Sequence, residues 1–416
     1  MYVIPIGVPL FRDGPQVSIQ TDWRRAVELL RDSLGGRYGD LVLLSPWLPV
    51  DAEEAKEQRL EPLEGVASVR AQTLYDARVR ARHFWSREAR PLRATLADAL
   101  RTAEVVHSGL DELHRPLTGM AFAMASRRGV PTVFVQDTDV VVQVPQLARP
   151  GRVPRARARV YTAAFEPLCR WCVRRADLTL LKSGTLERRY APHAKNLLVF
   201  EDTSYFSHEI VDRAEVERRL ATLGEDRPLR FVYCGRLVAR KGVDVSLRIL
   251  ARARARGARV ELEVIGSGPE EQRLAALAAS LGIADAVRLT GTATYGPALL
   301  RRLAAFDGLL FTPTAEDTPR MIFDGYAAGL PLVASPIPYV EERARAERAT
   351  ALLPDDVLEA ADALAALDRD RARLGELARR ACDAAAYHAA DAWYARRAER
   401  THEAVDRARR ARGGRS

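Results

Sequence analysis

The sequence predicts an α/β protein with two doubly wound, Rossmann-like domains in tandem that face each other across an interdomain cleft. Three observations predict this fold. Short apolar runs of strand length alternate with longer helical patterns, the alternation restarts once near mid-chain, and 416 residues suit about two to three domains. Strands that alternate with helices form parallel sheets that are covered on both faces.

The first half of the chain predicts an N-terminal domain over residues 1–205. Its strands are expected at Val42–Ser45, Glu104–His107, Pro131–Val135, Asp177–Leu181 and Asn196–Phe200. Helical patterns precede the first four of these runs. Residues 206–228 are predicted to be a linker, since a helical pattern there is followed by a Gly- and Pro-containing turn.

The second half predicts a C-terminal domain over residues 229–388. Its strands are expected at Leu229–Cys234, Val260–Ile265, Ala286–Thr290, Gly308–Phe311 and Pro331–Ala334, with helices between them at Val243–Arg256, Pro269–Leu281, Tyr295–Ala305 and Pro319–Ala328. A further helical segment follows at residues 389–406. The basic residues 407–416 are predicted to be a disordered tail.

The net charge of +9 comes from arginine, because the chain has 60 arginines and only four lysines. We interpret this bias chiefly as that of a high-GC genome, since the arginines are spread along the chain. Two arginine-rich segments, Arg149–Arg159 and Arg407–Ser416, are interpreted as a solvated loop and a frayed end. The alternatives are contact with an anionic membrane surface and, third, with nucleic acid.

Targeting and cysteine patterns limit the class of protein. The N-terminus lacks the basic and apolar regions of a signal peptide, and no apolar run reaches the ~18 residues of a membrane-spanning helix. Cys169 and Cys172 have a CxxC spacing without a second pair, so we interpret them as two buried thiols on one helix. We therefore expect a cytoplasmic globular protein.

Two basic residues follow the first strand of the second domain. Gly235 and Arg236 end that strand, and Lys241, one of the four lysines, comes just before the next helix. Cations beside a helix N-terminus suit a diphosphate. The alternative is two ordinary surface cations.

Three further loops follow neighbouring strands. Gly266 and Gly268 form a tight turn that matches a phosphate-binding loop only weakly, because the third glycine of GxGxxG is missing. Gly291 ends the next strand. Glu316 and Asp324 are carboxylates eight residues apart around a predicted helix start, able to accept hydrogen bonds from hydroxyls. Taken alone, two acids at this spacing are usually solvated.

Together these segments resemble a known family. GRLVARKGVD, VIGSGPEEQRLAALAASLGI, VRLTG and TAEDTPRMIFDGYAAGLPLVAS are similar to the nucleotide-sugar half of GT-B, family-4-type retaining glycosyltransferases, the glycosyl transferases group 1. In the first domain AEVVHSG, RGVPTVFVQD and ADLTLLKS resemble the acceptor-domain strands more weakly. The resemblance implies the GT-B fold and a C-terminal helix that crosses back to the N-terminal domain.

The resemblance also implies roles for the donor-side residues. Arg236 and Lys241 would neutralise the donor diphosphate, and Glu316 would hold the hydroxyls of the transferred sugar. Asp324 would contact the ribose, where the family has a longer Glu. The remaining donor-binding candidates are the loop positions Gly235, Gly266, Gly268, Gly291, Asp317, Thr318 and Arg320.

The acceptor side departs further from the family. Gly14 stands where the family has a glycine pair, and Gln136 and Asp137 stand where it has a histidine. His107 ends the preceding strand and is a fourth acceptor-side candidate. The alternative for His107 is a core histidine at a strand end.

The implied reaction is retaining, metal-independent transfer of a sugar from a UDP- or GDP-linked donor to an acceptor hydroxyl or amine, with no cofactor. The acceptor would be a glycan, a lipid-linked glycan or a small molecule, with peripheral contact at the inner membrane face as an option. Two alternatives are a non-catalytic nucleotide-sugar-binding relative and an adaptor that uses the arginine-rich segments on membranes or nucleic acid.

Overall fold

The computed structural model describes residues 1–56, 59–148, 151–224, 227–315 and 317–413. The chain divides into two compact units. The first unit combines residues 1–200 with the C-terminal residues 394–416, and the second comprises residues 201–393.

The first unit alternates strands with helices from its N-terminus. Its strands are β1 (Tyr2–Pro5), β2 (Leu10–Asp13), β3 (Gln16–Gln20), β4 (Leu41–Pro49), β5 (Leu60–Pro62), β6 (Val69–Asp76), β7 (Val105–Ser108), β8 (Thr132–Gln136), β9 (Leu178–Lys182) and β10 (Leu197–Phe200). Its helices are α1 (Thr21–Leu34), α2 (Glu53–Lys56), α3 (Ala81–His83), α4 (Ala89–Ala99), α5 (Leu117–Arg128), α6 (Val140–Leu147), α7 (Arg152–Arg175) and α8 (Ser183–Tyr190).

The sheet of the first unit is mostly parallel. Its described strands run in the order β10-β9-β8-β7-β1-β4-β2-β3-β5, with β6 also paired to β4. Only β2–β3 and β3–β5 are antiparallel among the described pairs. Because β4 lies on one side of β1 and β7 on the other, the strand order reverses at β1. Cys169 and Cys172 are buried thiols in the α7 core, as predicted.

The second unit repeats the alternation with shorter connections. Its strands are β11 (Leu229–Cys234), β12 (Val260–Ile265), β13 (Val287–Leu289), β14 (Gly308–Phe311), β15 (Leu332–Ala334) and β16 (Thr350–Leu352). Its helices are α9 (Arg213–Ala221), α10 (Val243–Ala255), α11 (Glu271–Ser280), α12 (Pro297–Leu303), α13 (Met321–Ala327), α14 (Pro338–Glu347), α15 (Val357–Arg369) and α16 (Arg371–His388), and α17 (Ala390–Gly413) continues into the first unit.

The second sheet is parallel throughout its described pairs, in the order β13-β12-β11-β14-β15-β16. The order reverses between β11 and β14, which creates a topological switch point at their carboxyl ends. Helices cover the sheet with apolar faces such as Leu247 and Leu250 of α10, both fully buried. Burial of each such side chain contributes about 1.5–3 kcal/mol to stability.

The predicted fold class of two Rossmann-like α/β domains is confirmed. The bounds of Leu229–Cys234, Val260–Ile265 and Gly308–Phe311 agree with the predicted ones. The hairpin of β2 and β3 was not predicted, because its strands are short and partly exposed. No helix in the described part of the chain is both long and apolar enough to span a membrane.

The two arginine-rich segments are more ordered than the sequence indicated. Arg149 and Pro150 lie outside the described residues, but Arg152–Arg159 forms the first turns of α7 rather than a loop. The predicted disordered tail is wrong for residues 407–413, which continue α17. Buried Ala408 and the ion pairs Arg409–Glu104 (2.7 Å) and Arg412–Asp177 (3.2 Å) hold this end of the helix. Residues 414–416 lie outside the described residues.

Candidate functional site

The candidate site of the second unit lies at the carboxyl ends of its strands. The loops that follow β11, β12 and β13 are joined by backbone hydrogen bonds: Gly235 N donates to Ile265 O (2.9 Å), Leu237 N to Ser267 O (2.9 Å), and Gly266 N to Gly291 O (2.7 Å). The structure therefore brings the predicted glycine loops together at one sheet edge.

Gly266 and Gly268 let these loops approach one another. A Cβ atom on Gly266 would lie 1.9 Å from the carbonyl oxygen of Gly235, and one on Gly268 would lie 2.2 Å from that of Leu237. Backbone atoms cannot yield to such contacts as a flexible side chain can. The glycines are thus required by the packing of the neighbouring loop, a reason that the motif alone did not indicate.

The loops after β11 and β14 meet across the switch point. Gly242 has a left-handed backbone (φ +66°), and a Cβ there would lie 1.7 Å from the carbonyl oxygen of Thr312. The Thr312 hydroxyl donates to Gly242 O (2.7 Å) and lies 2.7 Å from the Ser246 hydroxyl. Thr314 N donates to Arg240 O (3.0 Å). These bonds fix the segment that carries Lys241 against the segment that follows β14.

Lys241 and its neighbours form a cationic cluster. The Lys241 ammonium, with a side chain only 12% exposed, pairs with one oxygen of Asp317, and Arg240 pairs with the other oxygen at 3.0 Å. The Lys241 nitrogen also lies 5.8 Å from the ring centroid of Phe311, a cation–π contact. The pairing of Lys241 with Asp317 was not predicted.

Arg236 lies in the same loop after β11 and is exposed. Within the described part of the chain, no acidic side chain forms an ion pair with its guanidinium. The loop therefore carries three cations, of which Arg240 and Lys241 share the carboxylate of Asp317. A site with excess positive charge at a switch point attracts an anionic ligand.

Asp324 is a buried carboxylate at the same sheet edge. Its side chain lies in the first turn of α13, and the Tyr295 hydroxyl donates a hydrogen bond to its Oδ1 (3.0 Å). Burial raises the pKa of Asp324 to about 7, against the lowering effects of the Tyr295 bond and the Arg320 charge. A carboxyl group that titrates near neutral pH is typical of functional sites.

Tyr295 is a site residue that the sequence analysis missed. The predicted helix Tyr295–Ala305 instead begins at Pro297, after Gly296, which leaves Tyr295 in the loop between β13 and α12. Its side chain is 39% exposed. The Gly-Pro pair at 296–297 is the signal that could have placed the helix start correctly.

The segment between β14 and α13 is described only in part. Glu316, the predicted sugar-binding carboxylate, lies outside the described residues. The Thr318 amide donates to the Asp317 carboxylate (3.1 Å), so that amide already has a partner within the chain. The Arg320 guanidinium donates to the Ser204 hydroxyl (3.0 Å). Helix α13 begins at Met321 rather than at Pro319.

The four acceptor-side candidates lie in the first unit. Gly14 is in the exposed turn between β2 and β3, and Asp137 is exposed just after β8. Gln136 is buried and donates to Thr138 O (2.9 Å). None of these contacts joins them to one another.

His107 is a core residue in this structure. Its Nδ1 lies 2.8 Å from the Tyr2 hydroxyl, and burial, aided by the Arg397 charge, lowers its pKa to about 3. A buried neutral imidazole bonded to a tyrosine fits the alternative of a core histidine, and a role for His107 toward an acceptor stays a prediction.

Within the described residues, no group of three or more His, Cys, Asp and Glu side chains is arranged to hold a metal ion.

A known protein family matches the part of the chain that contains the loops described above. Residues 228–370, which include β11 to β16 and the cationic cluster, match the model of the family described as glycosyl transferases group 1. This region is therefore similar to the domain of that glycosyltransferase family. It contains every donor-side residue that the sequence singled out.

Two curated relatives are similar to part of the chain. The lipopolysaccharide core biosynthesis glycosyltransferase LpsD of Rhizobium meliloti is 36% identical over 106 residues, 25% of this chain and 28% of the relative. The exopolysaccharide phosphotransferase SCO2592 of Streptomyces coelicolor is 31% identical over 163 residues, 38% of this chain and 17% of the relative. The chain thus spans less than a third of the length of each relative.

Solved structures show the fold over nearly the whole chain. Anabaena Alr3699/HepE in complex with UDP superposes with a TM-score of 0.60 at 16% identity, and the match covers 97% of this chain and 98% of that one. At this identity the likeness shows the fold alone, which is that of GT-B glycosyltransferases.

Proposed function

We propose that the protein is a retaining glycosyltransferase of the family-4 type, which transfers a sugar from a nucleoside-diphosphate donor to an acceptor hydroxyl or amine. The observation that carries the proposal is the cationic cluster of the region that matches the glycosyltransferase family. Among the described residues of this loop, Arg240 and Lys241 share one carboxylate, Asp317, and Arg236 has no acidic partner.

Arg236 and Lys241 would stabilise the diphosphate as it leaves the sugar. Negative charge develops on the bridging oxygen in the transition state, and fixed cations in a partly buried site lower that energy. Lys241 is well placed for this role because its side chain is only 12% exposed and the bonds around Gly242 hold its segment in place. These side chains can neutralise the diphosphate themselves, which supports a metal-independent reaction.

Front-face attack is the retaining mechanism that we propose. The leaving phosphate oxygen takes the proton of the acceptor, so no separate base is required. Two features support this: Gln136 and Asp137 stand where the family has a histidine, and His107 is bonded to Tyr2 in the core. Glu316 would hold the sugar hydroxyls, as the family resemblance implies.

The donor and acceptor are proposed by class. A UDP- or GDP-linked sugar is the donor, which the UDP complex of the HepE neighbour supports. A bacterial surface glycan or its lipid-linked precursor is the acceptor, in line with the lipopolysaccharide and exopolysaccharide names of the curated relatives. Helix α7, with its exposed arginines, would provide any peripheral contact with a membrane of a cytoplasmic enzyme.

A thermal-shift screen tests the donor site. Wild type, Arg236→Ala and the control Arg345→Ala are heated with UDP, GDP and a panel of their sugar conjugates. Arg345 is an exposed arginine of α14, paired with Glu341. A ligand at 100 times its Kd adds about 2.7 kcal/mol to stability. We expect one nucleotide-sugar class to stabilise wild type and the control, and to stabilise Arg236→Ala far less.

An assay of nucleotide release distinguishes a glycosyltransferase from a protein that only binds the nucleotide sugar. Release of UDP or GDP from the stabilising sugar conjugate, in the presence of glycan acceptors, is followed with the same three proteins. Equal shifts in all three would contradict the role of Arg236. Binding without nucleotide release from any acceptor would instead favour the non-catalytic alternative.

A further inference from the structure

The loop between β13 and α12 carries an aromatic side chain at the edge of the donor site. Gly291 (φ +69°) and Gly296 (φ +142°) bound this loop, and both have backbone conformations that favour glycine. The Gly266 amide anchors the first end of the loop at Gly291 O (2.7 Å). Tyr295 lies just before the second glycine and is 39% exposed.

The hydroxyl of Tyr295 fixes the direction of its ring. It donates to Oδ1 of Asp324 (3.0 Å), a residue from a different element, 29 positions further along the chain. With the hydroxyl held in this way, the ring has a fixed direction in a residue that is 39% exposed. A ring held in place at a sheet edge is an apolar surface prepared for contact, with little rotational freedom left to lose on binding.

The second oxygen of Asp324 has no hydrogen-bond partner among the described residues. In the described structure, Oδ2 accepts no hydrogen bond, whereas Oδ1 accepts the one from Tyr295. A carboxylate can accept from a hydroxyl on each oxygen. The pair thus offers a hydrogen-bond acceptor and a flat apolar surface side by side.

The cationic cluster lies at the loops after β11 and β14, and Tyr295 lies at the loop after β13, on the other side of β12. A ligand that contacts both the cationic cluster and the Tyr295–Asp324 pair needs an anionic end. Its other end needs hydroxyls and a planar ring. A nucleoside diphosphate has that distribution of chemistry.

We propose that Tyr295 is a nucleoside-binding residue, whose ring packs against the base or ribose while its hydroxyl shares Asp324 with a ribose hydroxyl. This rests on the proposed function and adds a specificity-determining residue to it. Tyr295 then recognises the nucleoside, and Arg236 and Lys241 recognise the phosphates, so the two contributions are separable by ligand.

Calorimetric titration with UDP, GDP and inorganic pyrophosphate separates recognition of the nucleoside from recognition of the phosphates. Tyr295→Ala should weaken UDP or GDP binding by about 10- to 100-fold, the range that loss of an aromatic–base contact gives. It should leave the pyrophosphate Kd unchanged, because that ligand has no nucleoside. Tyr295→Phe keeps the ring and should lose less than about fivefold.

Two further variants control for folding. Tyr387→Ala removes another exposed aromatic of the second unit, one that contacts His388 and Trp393 rather than Asp324, and should bind UDP and GDP as wild type does. Tyr295→Leu keeps apolar bulk without an aromatic face. It serves as the deciding variant if the alanine protein does not fold.

The outcomes distinguish this inference from the proposed function. Unchanged UDP and GDP affinity in Tyr295→Ala and Tyr295→Leu would overturn the role of Tyr295 alone. An equal loss for pyrophosphate and nucleotides would also overturn it, since that indicates general disruption of the site. A wild-type protein that binds neither UDP nor GDP would overturn the proposed function together with the inference.

Discussion

Asp324 lies in a buried position, where the ionised form of its carboxyl group is destabilised. Burial raises the pKa of its carboxyl from 3.8 to about 7, while the Tyr295 bond and Arg320 act in the opposite direction and Glu209 adds to the rise. The half-buried Cys234 and the buried Tyr205 also interact with its charge. Because the folded-state pKa exceeds the unfolded one, the proton stabilises the folded state at low pH. That contribution is lost as the pH rises through about 7.

Replacing Asp324 with Asn should remove this pH dependence. A rise of about 3 pKa units corresponds to about 4 kcal/mol, so Asp324→Asn should be more stable than wild type at pH 8 by up to that amount and similar to it near pH 4. Nucleotide binding should weaken at pH 8, because the amide offers a poorer acceptor than the carboxylate. Urea unfolding between pH 4 and pH 8 measures the difference.

The control for Asp324→Asn is Asp285→Asn, which changes an exposed carboxylate paired with Arg254. It should follow the wild-type dependence of stability on pH. If Asp324→Asn also kept the wild-type slope between pH 4 and pH 8, the raised pKa of Asp324 would be contradicted.

At the scale of elements, the site depends on loops that touch through their backbones. The Gly235 amide donates to Ile265 O, the Gly266 amide donates to Gly291 O, and Gly242 lies against Thr312. Each contact joins loops that follow different strands of one parallel sheet. The order of the strands therefore determines which loops meet, and the glycines determine how closely they approach.

Gly242 and Gly282 form a matched pair that tests this. Both have left-handed backbones (φ +66° and +69°), but a Cβ on Gly282 meets nothing within 4 Å, whereas one on Gly242 meets Thr312 O at 1.7 Å. Gly282→Ala should cost about 1–2 kcal/mol from the backbone alone. Gly242→Ala should cost about 2 kcal/mol more, because the Thr312 segment must shift.

Urea unfolding of the two alanine variants measures the difference, and UDP or GDP titration shows whether the displaced segment reduces donor affinity. Equal losses of stability in Gly242→Ala and Gly282→Ala would contradict this expectation. They would mean that the Thr312 segment shifts without lowering the free energy of unfolding. We expect Gly282→Ala to bind nucleotide as wild type does, since Gly282 follows α11 at the opposite end of that helix from the site.

At the scale of the molecule, the first unit is completed by the last residues of the chain. Within that unit, Arg397 lies over the rings of Phe200 and Tyr394 (4.7 and 4.8 Å). Other contacts of α17 in the unit include the His402–Tyr38 hydrogen bond (2.8 Å), the Asp406–Arg37 ion pair (2.7 Å) and the buried side chains of Thr401, Ala404 and Val405. Exposed ion pairs contribute little, so buried apolar surface provides most of the stabilisation.

Truncation after Trp393 should therefore destabilise the first unit selectively. Hydrogen exchange followed by mass spectrometry should show faster exchange in β1 and β7, with β11 and β14 close to wild type. A chain that lacks only residues 414–416 is the control and should exchange as the full-length protein does. Uniform loss of protection in both units would contradict the assignment of α17 to the first.

Local patterning in the sequence was sufficient to predict several strands of the second unit. Leu229–Cys234 and Val260–Ile265 were predicted with their observed bounds, because central strands of a parallel sheet are buried on both faces and form continuous apolar runs. It also located the glycine loops that the structure brings together. It failed where the pattern is weak, as in the β2–β3 hairpin, and where a helix start was extended over Tyr295.

The contacts between side chains that are distant in sequence became known from the folded structure. The partner of Lys241 is Asp317, 76 residues away, and that of His107 is Tyr2, 105 residues away. Local periodicity determines whether a segment is a strand or a helix, within a window of some ten residues. Contacts between distant residues depend on strand order and on how closely loops approach, which no local window contains. For that reason the elements were largely readable from the sequence, whereas the charge balance and pKa values of the site were not.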